Sequence, residues 1–267
     1  MQGRVLIIAG SDSGGGAGIQ ADIKTVTALG GFAATAITAL TAQNTLGVEA
    51  IEAVSPPFVA QQIDVVLKDI GADAIKIGML HRKEVVDAVA DLFDKMEELP
   101  PVVLDPVMIA KGGASLIAQE ASEAIKNRLV SNHTTVLTPN IPEAEQLTGM
   151  EICNLTDMEK AGRALLEIGP GAVLMKGGHS EGPEIVDLLV TREGIQTFSH
   201  RRIETPHTHG TGCTLSSAIA TGIAQGMGIP AAVARAIRYV ENAIFDAPGL
   251  GAGHGPLNHG HTVSHFD

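Results

Sequence analysis

Arg4-Val-Leu-Ile-Ile-Ala9 runs into Gly10-Ser-Asp-Ser-Gly-Gly-Gly-Ala-Gly18, and a helix is read from Ile19 to Leu29. The first run is short and continuously apolar, the pattern of a strand buried on both faces. Strand, glycine turn and helix open a β-α unit, and the alternation recurs along the chain. Phe32–Leu40 reads as a second strand, Pro56–Ile70 as a helix, Ala74–Gly78 as a strand and His81–Leu99 as a helix. Pro101–Val107, Thr134–Thr138 and Ala172–Gly178 read as further strands, with helices at Leu116–Leu129, after Pro139-Asn140, and at Asp157–Ile168. Such alternation predicts an α/β fold, a mostly parallel central sheet with helices on both faces. From Ile185 to Ile203 the pattern changes to two short strands joined at Arg192-Glu193-Gly194, an antiparallel edge hairpin. Helices at Leu215–Met227 and Ala231–Phe245 close the pattern. No linker or repeat divides residues 1–267, so one domain is expected, ending in a mobile Gly/His-rich tail over residues 248–267.

Composition narrows the function. Of 267 residues, 45% are hydrophobic and 18% charged, which suits a large single core and argues against disorder. The net charge of −12, with no basic stripe, speaks against nucleic acid as a partner. The two cysteines, Cys153 and Cys213, form no CxxC, so nothing in the sequence supports a disulfide framework or a structural zinc site. No apolar run approaches the roughly eighteen residues of a membrane span, and no secretory leader opens the chain. A soluble cytoplasmic protein is expected.

Two familiar phosphate loops are excluded at residues 10–18. A Walker A loop needs Lys and Ser/Thr after its last glycine, whereas Gly15 is followed by Gly16-Ala17. A dinucleotide fingerprint fails at Ile19, and the second strand carries no acid. The glycines permit close backbone approach to a ligand or serve as an ordinary turn, and the residues alone leave both open. A second glycine loop, Thr208-His-Gly-Thr-Gly-Cys213-Thr214, opens a helix whose first N–H groups are unpaired. It makes an anion hole with Cys213 at its edge. Open parallel sheets bind ligands beyond the carboxyl ends of their strands. Gln43, Asp105, Asn140 with Glu143, and Lys176 all fall there, and Asp22 lies one helical turn past the first loop. Each alone has a bland explanation: solvated loop or surface groups for Gln43 and Asp22, a small buried hydrophobe for Cys213. Together they are equipment for phosphoryl transfer: carboxylates for Mg²⁺, a lysine for phosphate oxygens, an N–H cradle and a base near the acceptor.

Gly210-Thr-Gly-Cys-Thr214, Asn140-x-x-Glu143, Met175-Lys-Gly-Gly-His179 and Gly10-Ser-Asp…Gly-Gly-Ala-Gly-x-Gln20-Ala-Asp22 resemble the ribokinase superfamily. More narrowly, they resemble the hydroxymethylpyrimidine/phosphomethylpyrimidine kinases of thiamine biosynthesis. Thr38-Ala-Leu-Thr-Ala-Gln43-Asn-Thr and Lys76-Ile-Gly-Met79-Leu extend the resemblance from Ile7 to about His259. It implies a ribokinase-like three-layer α/β/α fold, the cofactors ATP and Mg²⁺, and phosphorylation of 4-amino-5-hydroxymethyl-2-methylpyrimidine and then of its monophosphate. It implies Cys213 as catalytic base, flanked by Gly210 and Gly212. Gly10, Asp22, Gln43, Met79 and Val107 would meet the substrate, and Asn140, Lys176, His209 and Thr211 the nucleotide. Asp105 and Glu143 would stand on the metal side, through water. The helix N-terminus would lower the Cys213 thiol toward neutrality. Pro206-His207, where a Lys-Asn pair is usual, and Arg238, where Lys is frequent, depart from the family on the nucleotide side. The rival readings are a pyridoxal kinase on the same scaffold and a thiol-nucleophile enzyme using Cys213. A small-molecule substrate is the expected partner, with a homodimer as one option for assembly.

Overall fold

Val5, Leu6, Ile7 and Ile8 are all fully shielded from solvent, as a strand covered on both faces requires. The computed structural model describes residues 2–108, 119–178 and 182–263. The expected helix start at Leu116, His179 of the Met175–His179 stretch and the tail histidine His265 lie outside these residues.

In chain order the elements are β1 (Arg4–Asp12), α1 (Gly18–Ala28), β2 (Phe32–Asn44), β3 (Gly47–Ala53), α2 (Pro56–Asp69), β4 (Ala74–Ile77), α3 (Lys83–Phe93) and β5 (Val102–Leu104). Then come α4 (Gln119–Ala124), a π-helical turn (Ile125–Val130), α5 (Ser131–His133), β6 (Val136–Leu137), α6 (Ile141–Thr148) and α7 (Leu155–Ile168). Last are β7 (Ala172–Met175), β8 (Glu184–Thr191), β9 (Gly194–Arg201), α8 (Thr211–Ala224) and α9 (Ile229–Phe245).

Among the described residues the strands form one sheet in the order β3-β2-β1-β4-β5-β6-β7-β8-β9. β1 pairs in parallel with both β2 and β4, so the winding reverses at β1. A crevice opens at such a switch point, outside the carboxyl ends of the strands. The expected edge hairpin is β8–β9, with β8 antiparallel to β7 and β9 antiparallel to β8. The other edge is a second antiparallel hairpin, β2–β3, which replaces the loop expected after Leu40. β2 runs on to Asn44, so Gln43 is held by a ladder rather than by a free loop.

Side chains alternate across β1 and fill two cores. Leu6 and Ile8 join Ile75, Ile77 and Leu104 beneath residues of α2, α3, α6 and α7, whereas Val5 and Ile7 pack with residues of α1, α8 and α9. The three-layer α/β/α arrangement follows. α8 is covered all round, its residues Thr214 to Gly222 all buried, as a helix between a sheet and other helices must be.

The tail expected to be mobile is docked over residues 248–263. The His254 N–H donates to the Thr45 carbonyl at 2.9 Å, and the Asn258 N–H to the Ala243 carbonyl at 2.9 Å. The Tyr239 hydroxyl donates to the His259 carbonyl at 2.6 Å. Leu257 and His259 are buried, and His259 packs against Thr214 of α8 and Tyr239 of α9.

Candidate active site

Gly210 caps α8 with φ +87°, a left-handed conformation that favours glycine. A Cβ there would strike the carbonyl oxygen of Gly16, so the two glycine loops touch backbone to backbone. The first helical hydrogen bond runs from the Thr214 N–H to the Gly210 carbonyl at 2.9 Å. The N–H groups of Thr211, Gly212 and Cys213 precede that bond and lie at the positive end of the helix dipole. All three residues line a cavity of about 760 Å³ along the carboxyl ends of the strands.

A charged cluster faces this helix start. The Lys176 Nζ, at the end of β7, stands 2.9 Å from the Asp105 Oδ1 past β5 and 4.0 Å from the Glu143 Oε2. A Cβ on Gly212 would lie 3.4 Å from both the Asp105 Oδ2 and the Lys176 Nζ, so glycine lets the helix approach the cluster. Asn140 and Glu143 form a capping box on α6. The Glu143 N–H donates to the Asn140 Oδ1 at 2.9 Å, and the Asn140 N–H to the Glu143 Oε2 at 2.8 Å. Burial pushes the Glu143 carboxyl up to about 7, with Lys176 opposing and Asp105 adding to the rise. Burial alone would lower the Lys176 ammonium, but Asp105 and Glu143 outweigh it and raise it. Beyond the cluster the cavity continues along Ile185, Ile203, Ile237, Val240 and Ile244, with Glu241 and Arg202 at its margin.

At the β1–β2 end the cavity is walled by Gly10, Gln43, Met79 and Val107. A Cβ on Gly10 would lie 2.5 Å from the Met79 methyl carbon, so the absence of a side chain at residue 10 makes room for Met79. Asp12 also lines the cavity here and is almost fully buried. It accepts from the N–H groups of Gly14 at 2.8 Å, Gly16 at 3.1 Å and Ala17 at 2.8 Å, and its Oδ2 lies 2.9 Å from the His209 Nε2. His209, expected to meet the nucleotide, lies beside Gln43, whose Nε2 is 3.2 Å from the same ring nitrogen. The reason is covalent: His209 precedes the Gly210 turn that presses against Gly16. The Asp12–Gly14 contact is an Asx turn, legible in Asp-x-Gly, and that signal would have marked Asp12 as a loop organiser.

Asp22 also differs from expectation. It does not line the cavity and has no exposed surface. Its carboxylate receives the Lys76 Nζ at 2.8 and 3.0 Å and the Ser217 hydroxyl at 2.7 Å. It is neither a ring contact nor a surface acid but the partner of a buried cation. Burial would lower the Lys76 ammonium, yet the charge of Asp22 foremost, with that of Asp105, raises it. Lys76 entered the sequence reading only within the Lys76–Leu80 stretch, because its pairing with Asp22, distant in sequence, leaves no local signal.

Cys213 stands on the first turn of α8, partly open to the cavity. Its thiol is not lowered as expected. Burial pushes it up to about 11; Lys76 opposes the rise, and Asp22 and Asp105 add to it. Desolvation and the two carboxylates outweigh the Lys76 ammonium and the Gly18 backbone. A thiol pushed up to about 11 is neutral at neutral pH, which counts against a free thiolate nucleophile. Among the described residues no group of three or more His, Cys, Asp or Glu side chains is arranged to hold a metal ion. The departures from the family stand back from this wall: Arg238 is exposed, and neither it nor Pro206 or His207 lines the cavity.

The phosphomethylpyrimidine kinase family model matches residues 12–258. The chain belongs to this family. It is 46% identical over 257 residues to the hydroxymethylpyrimidine/phosphomethylpyrimidine kinase of Bacillus subtilis, covering 96% of this chain and 94% of that protein. It is 50% identical over 258 residues to the thiamine biosynthesis bifunctional protein ThiED of Geobacter sulfurreducens, of which it spans only 52%. Among solved structures, the phosphomethylpyrimidine kinase of Clostridium difficile is 43% identical with a TM-score of 0.80, over 90% of this chain and 99% of that one. The Bacillus subtilis pyridoxal kinase, solved as an ADP complex, is 32% identical with a TM-score of 0.88, over 97% of this chain and 98% of that one. The fold is therefore that of the ribokinase-like vitamin kinases, with higher sequence identity on the pyrimidine side. Among the described residues no helix is long and apolar enough to cross a membrane.

Proposed function

We propose that this chain transfers the γ-phosphoryl group of ATP to the hydroxymethyl group of 4-amino-5-hydroxymethyl-2-methylpyrimidine, and then phosphorylates the monophosphate, in thiamine biosynthesis. The observation that carries this reading is the family match across residues 12–258, which spans every candidate site residue except Gly10. The site chemistry supports it. The aminopyrimidine ring would lie against Gly10, Met79 and Val107 and be read by the Gln43 amide, which offers one donor and one acceptor edge. Asn140, Lys176 and Thr211 would face the nucleotide phosphates, and the N–H groups of Thr211, Gly212 and Cys213 would hold the transferring charge. Cys213 would accept the hydroxyl proton, its thiolate stabilised once cationic charge enters the cluster. In a loose transition state little negative charge is needed on the attacking oxygen, so a sparsely populated base suffices.

The donor set fits Mg²⁺. Asp105 and Glu143 are hard oxygen donors beside the phosphate site, and a Glu143 carboxyl raised to about 7 is short of nearby positive charge. Glu143 is already engaged in its capping box, so it would hold the ion through water. When bound, the ion neutralises charge on the phosphates. ATP use accords with the expected cytoplasmic location. Exposed Leu46, Phe58, Leu155 and Phe245 offer apolar surface, and the proposed assembly is a homodimer, tested by sedimentation velocity.

A pyridoxal kinase remains the second reading because pyridoxal kinase structures superpose with TM-scores of 0.88 and 0.89. ATP consumption is followed with the aminopyrimidine, its monophosphate and pyridoxal in parallel, with and without Mg²⁺. Turnover of both pyrimidines is expected. Turnover of pyridoxal alone contradicts the pyrimidine reading, and turnover of none contradicts a kinase of either kind.

A further inference from the structure

The hydrogen count around Gln43 does not close as the atoms stand. The His209 Nε2 lies 2.9 Å from the Asp12 Oδ2 and 3.2 Å from the Gln43 Nε2. Asp12 is an ionised acceptor: burial would raise its carboxyl, but His209 and the Ala17 and Gly14 N–H groups hold it below its ordinary value. The His209 Nε2 therefore carries its hydrogen toward Asp12 and offers no lone pair to the Gln43 amide nitrogen. At the other side of the amide, the single Thr41 hydroxyl hydrogen is shared between the Ser11 carbonyl at 2.9 Å and the Gln43 Oε1 at 3.1 Å. Turning the amide by half a revolution removes both conflicts. The Gln43 Oε1 then shares the His209 hydrogen, the Gln43 amide nitrogen donates to the Thr41 Oγ1, and Thr41 donates to Ser11.

We propose that His209, clamped by Asp12, is a specificity-determining positioning residue that fixes the Gln43 amide with its oxygen toward His209 and its nitrogen toward Thr41. This rests on the aminopyrimidine reading above and adds which way round the ring lies. The outer edge of the amide presents an acceptor on the His209 side and a donor on the Thr41 side. A ring that offers an amino group beside a ring nitrogen satisfies both only in one orientation, with the amino group toward His209. In the aminopyrimidine the hydroxymethyl carbon neighbours the amino-bearing carbon, and His209 belongs to the same loop as Cys213. One amide orientation thus selects the ring and directs its hydroxyl toward the anion hole. Pyridoxal has no ring amino group and gains nothing from this order. Gly16 belongs to the device: a Cβ there would lie 2.5 Å from the His209 Cδ2, so glycine lets the ring sit against the first loop.

The test compares His209→Leu, which removes the donor, with His209→Gln, which returns an amide donor. For His209→Leu we expect kcat/KM for the aminopyrimidine to fall by about 10- to 100-fold, mostly through KM, as for a lost buried hydrogen bond. The KM for ATP and kcat/KM for pyridoxal should move less than about threefold, and His209→Gln should recover part of the loss. Equal losses on both ring substrates, or an unchanged aminopyrimidine KM, overturn the proposal. Neutron diffraction on crystals grown from the wild-type protein tests it without a variant. Deuterons are expected on the Gln43 atom beside Thr41, and deuterons on the atom beside His209 overturn it. Failure of wild type to phosphorylate the aminopyrimidine at all would instead overturn the underlying substrate assignment.

Discussion

Glu143→Gln removes a titrating carboxyl from the charged cluster while keeping an oxygen for the Asn140 N–H of the capping box. In the folded chain Glu143 titrates near 7 rather than near 4.5, because its burial and Asp105 outweigh Lys176. Between those values the folded state holds a proton that the unfolded state has released. The stability owed to the neutral carboxyl is therefore complete below about pH 4.5 and is lost as pH rises toward 7. At about 1.4 kcal/mol per pH unit, the interval is worth up to about 3 kcal/mol. Urea unfolding of wild type and Glu143→Gln at pH 5, 6, 7 and 8 reads it directly. The stability of wild type relative to the variant should fall by about 2–3 kcal/mol from pH 5 to pH 8, and should fall less with Mg²⁺ and ADP present, since a cation favours the carboxylate. A difference that stays constant with pH would refute the account of Glu143 as a carboxyl waiting for charge.

Other predictions bear on neighbouring groups. Lys176→Met should lower kcat by about 100-fold or more, because a positioned cation at the transferring phosphoryl group is lost, as steady-state kinetics with saturating aminopyrimidine would show. Lys76→Met leaves Asp22 buried without its cation and should cost about 3–5 kcal/mol by urea unfolding, whereas Lys76→Met/Asp22→Leu should recover most of it. His259 is driven down to about 4, chiefly by burial, with Lys24 and His261 adding to the effect. The stability that its neutral form confers is present above about pH 6.5 and is lost as pH falls toward 4. Relative to His259→Gln, wild type should therefore lose up to about 3 kcal/mol over that range in chemical unfolding.

Period and turn chemistry made most of the fold legible. The apolar run at Arg4–Ala9, the edge hairpin at Arg192-Glu193-Gly194 and the helix read from Leu215, which the structure starts at Thr211, all follow from local signals that tertiary packing reinforces. The β2–β3 hairpin was hidden because Thr45-Leu46 lacks the usual turn residues and Thr41–Asn44 looks like a polar loop. The tail misled for the opposite reason: its glycines and histidines resemble solvated chain, yet Leu257 and His259 are buried by contacts with α8 and α9 that no local pattern encodes. At the site, strand-end placement located Gln43, Asp105, Glu143 and Lys176, since their positions depend on topology alone. Asp22 was misplaced because its partner Lys76 is distant in sequence, and the same kind of distance hid the contact of His209 with Asp12. The direction of the Cys213 shift was likewise invisible, because it depends on how deeply α8 buries its first turn.

The central claim is that the substrate hydroxyl and the γ-phosphoryl group meet at the N-terminus of α8, where Cys213 takes the proton. Steady-state kinetics of Cys213→Ala with the aminopyrimidine and ATP test it most directly. A fall in kcat of about 10²–10⁴, with the KM for ATP within about threefold of wild type, is the predicted result. An unchanged kcat would contradict the claim and remove Cys213 from the reaction.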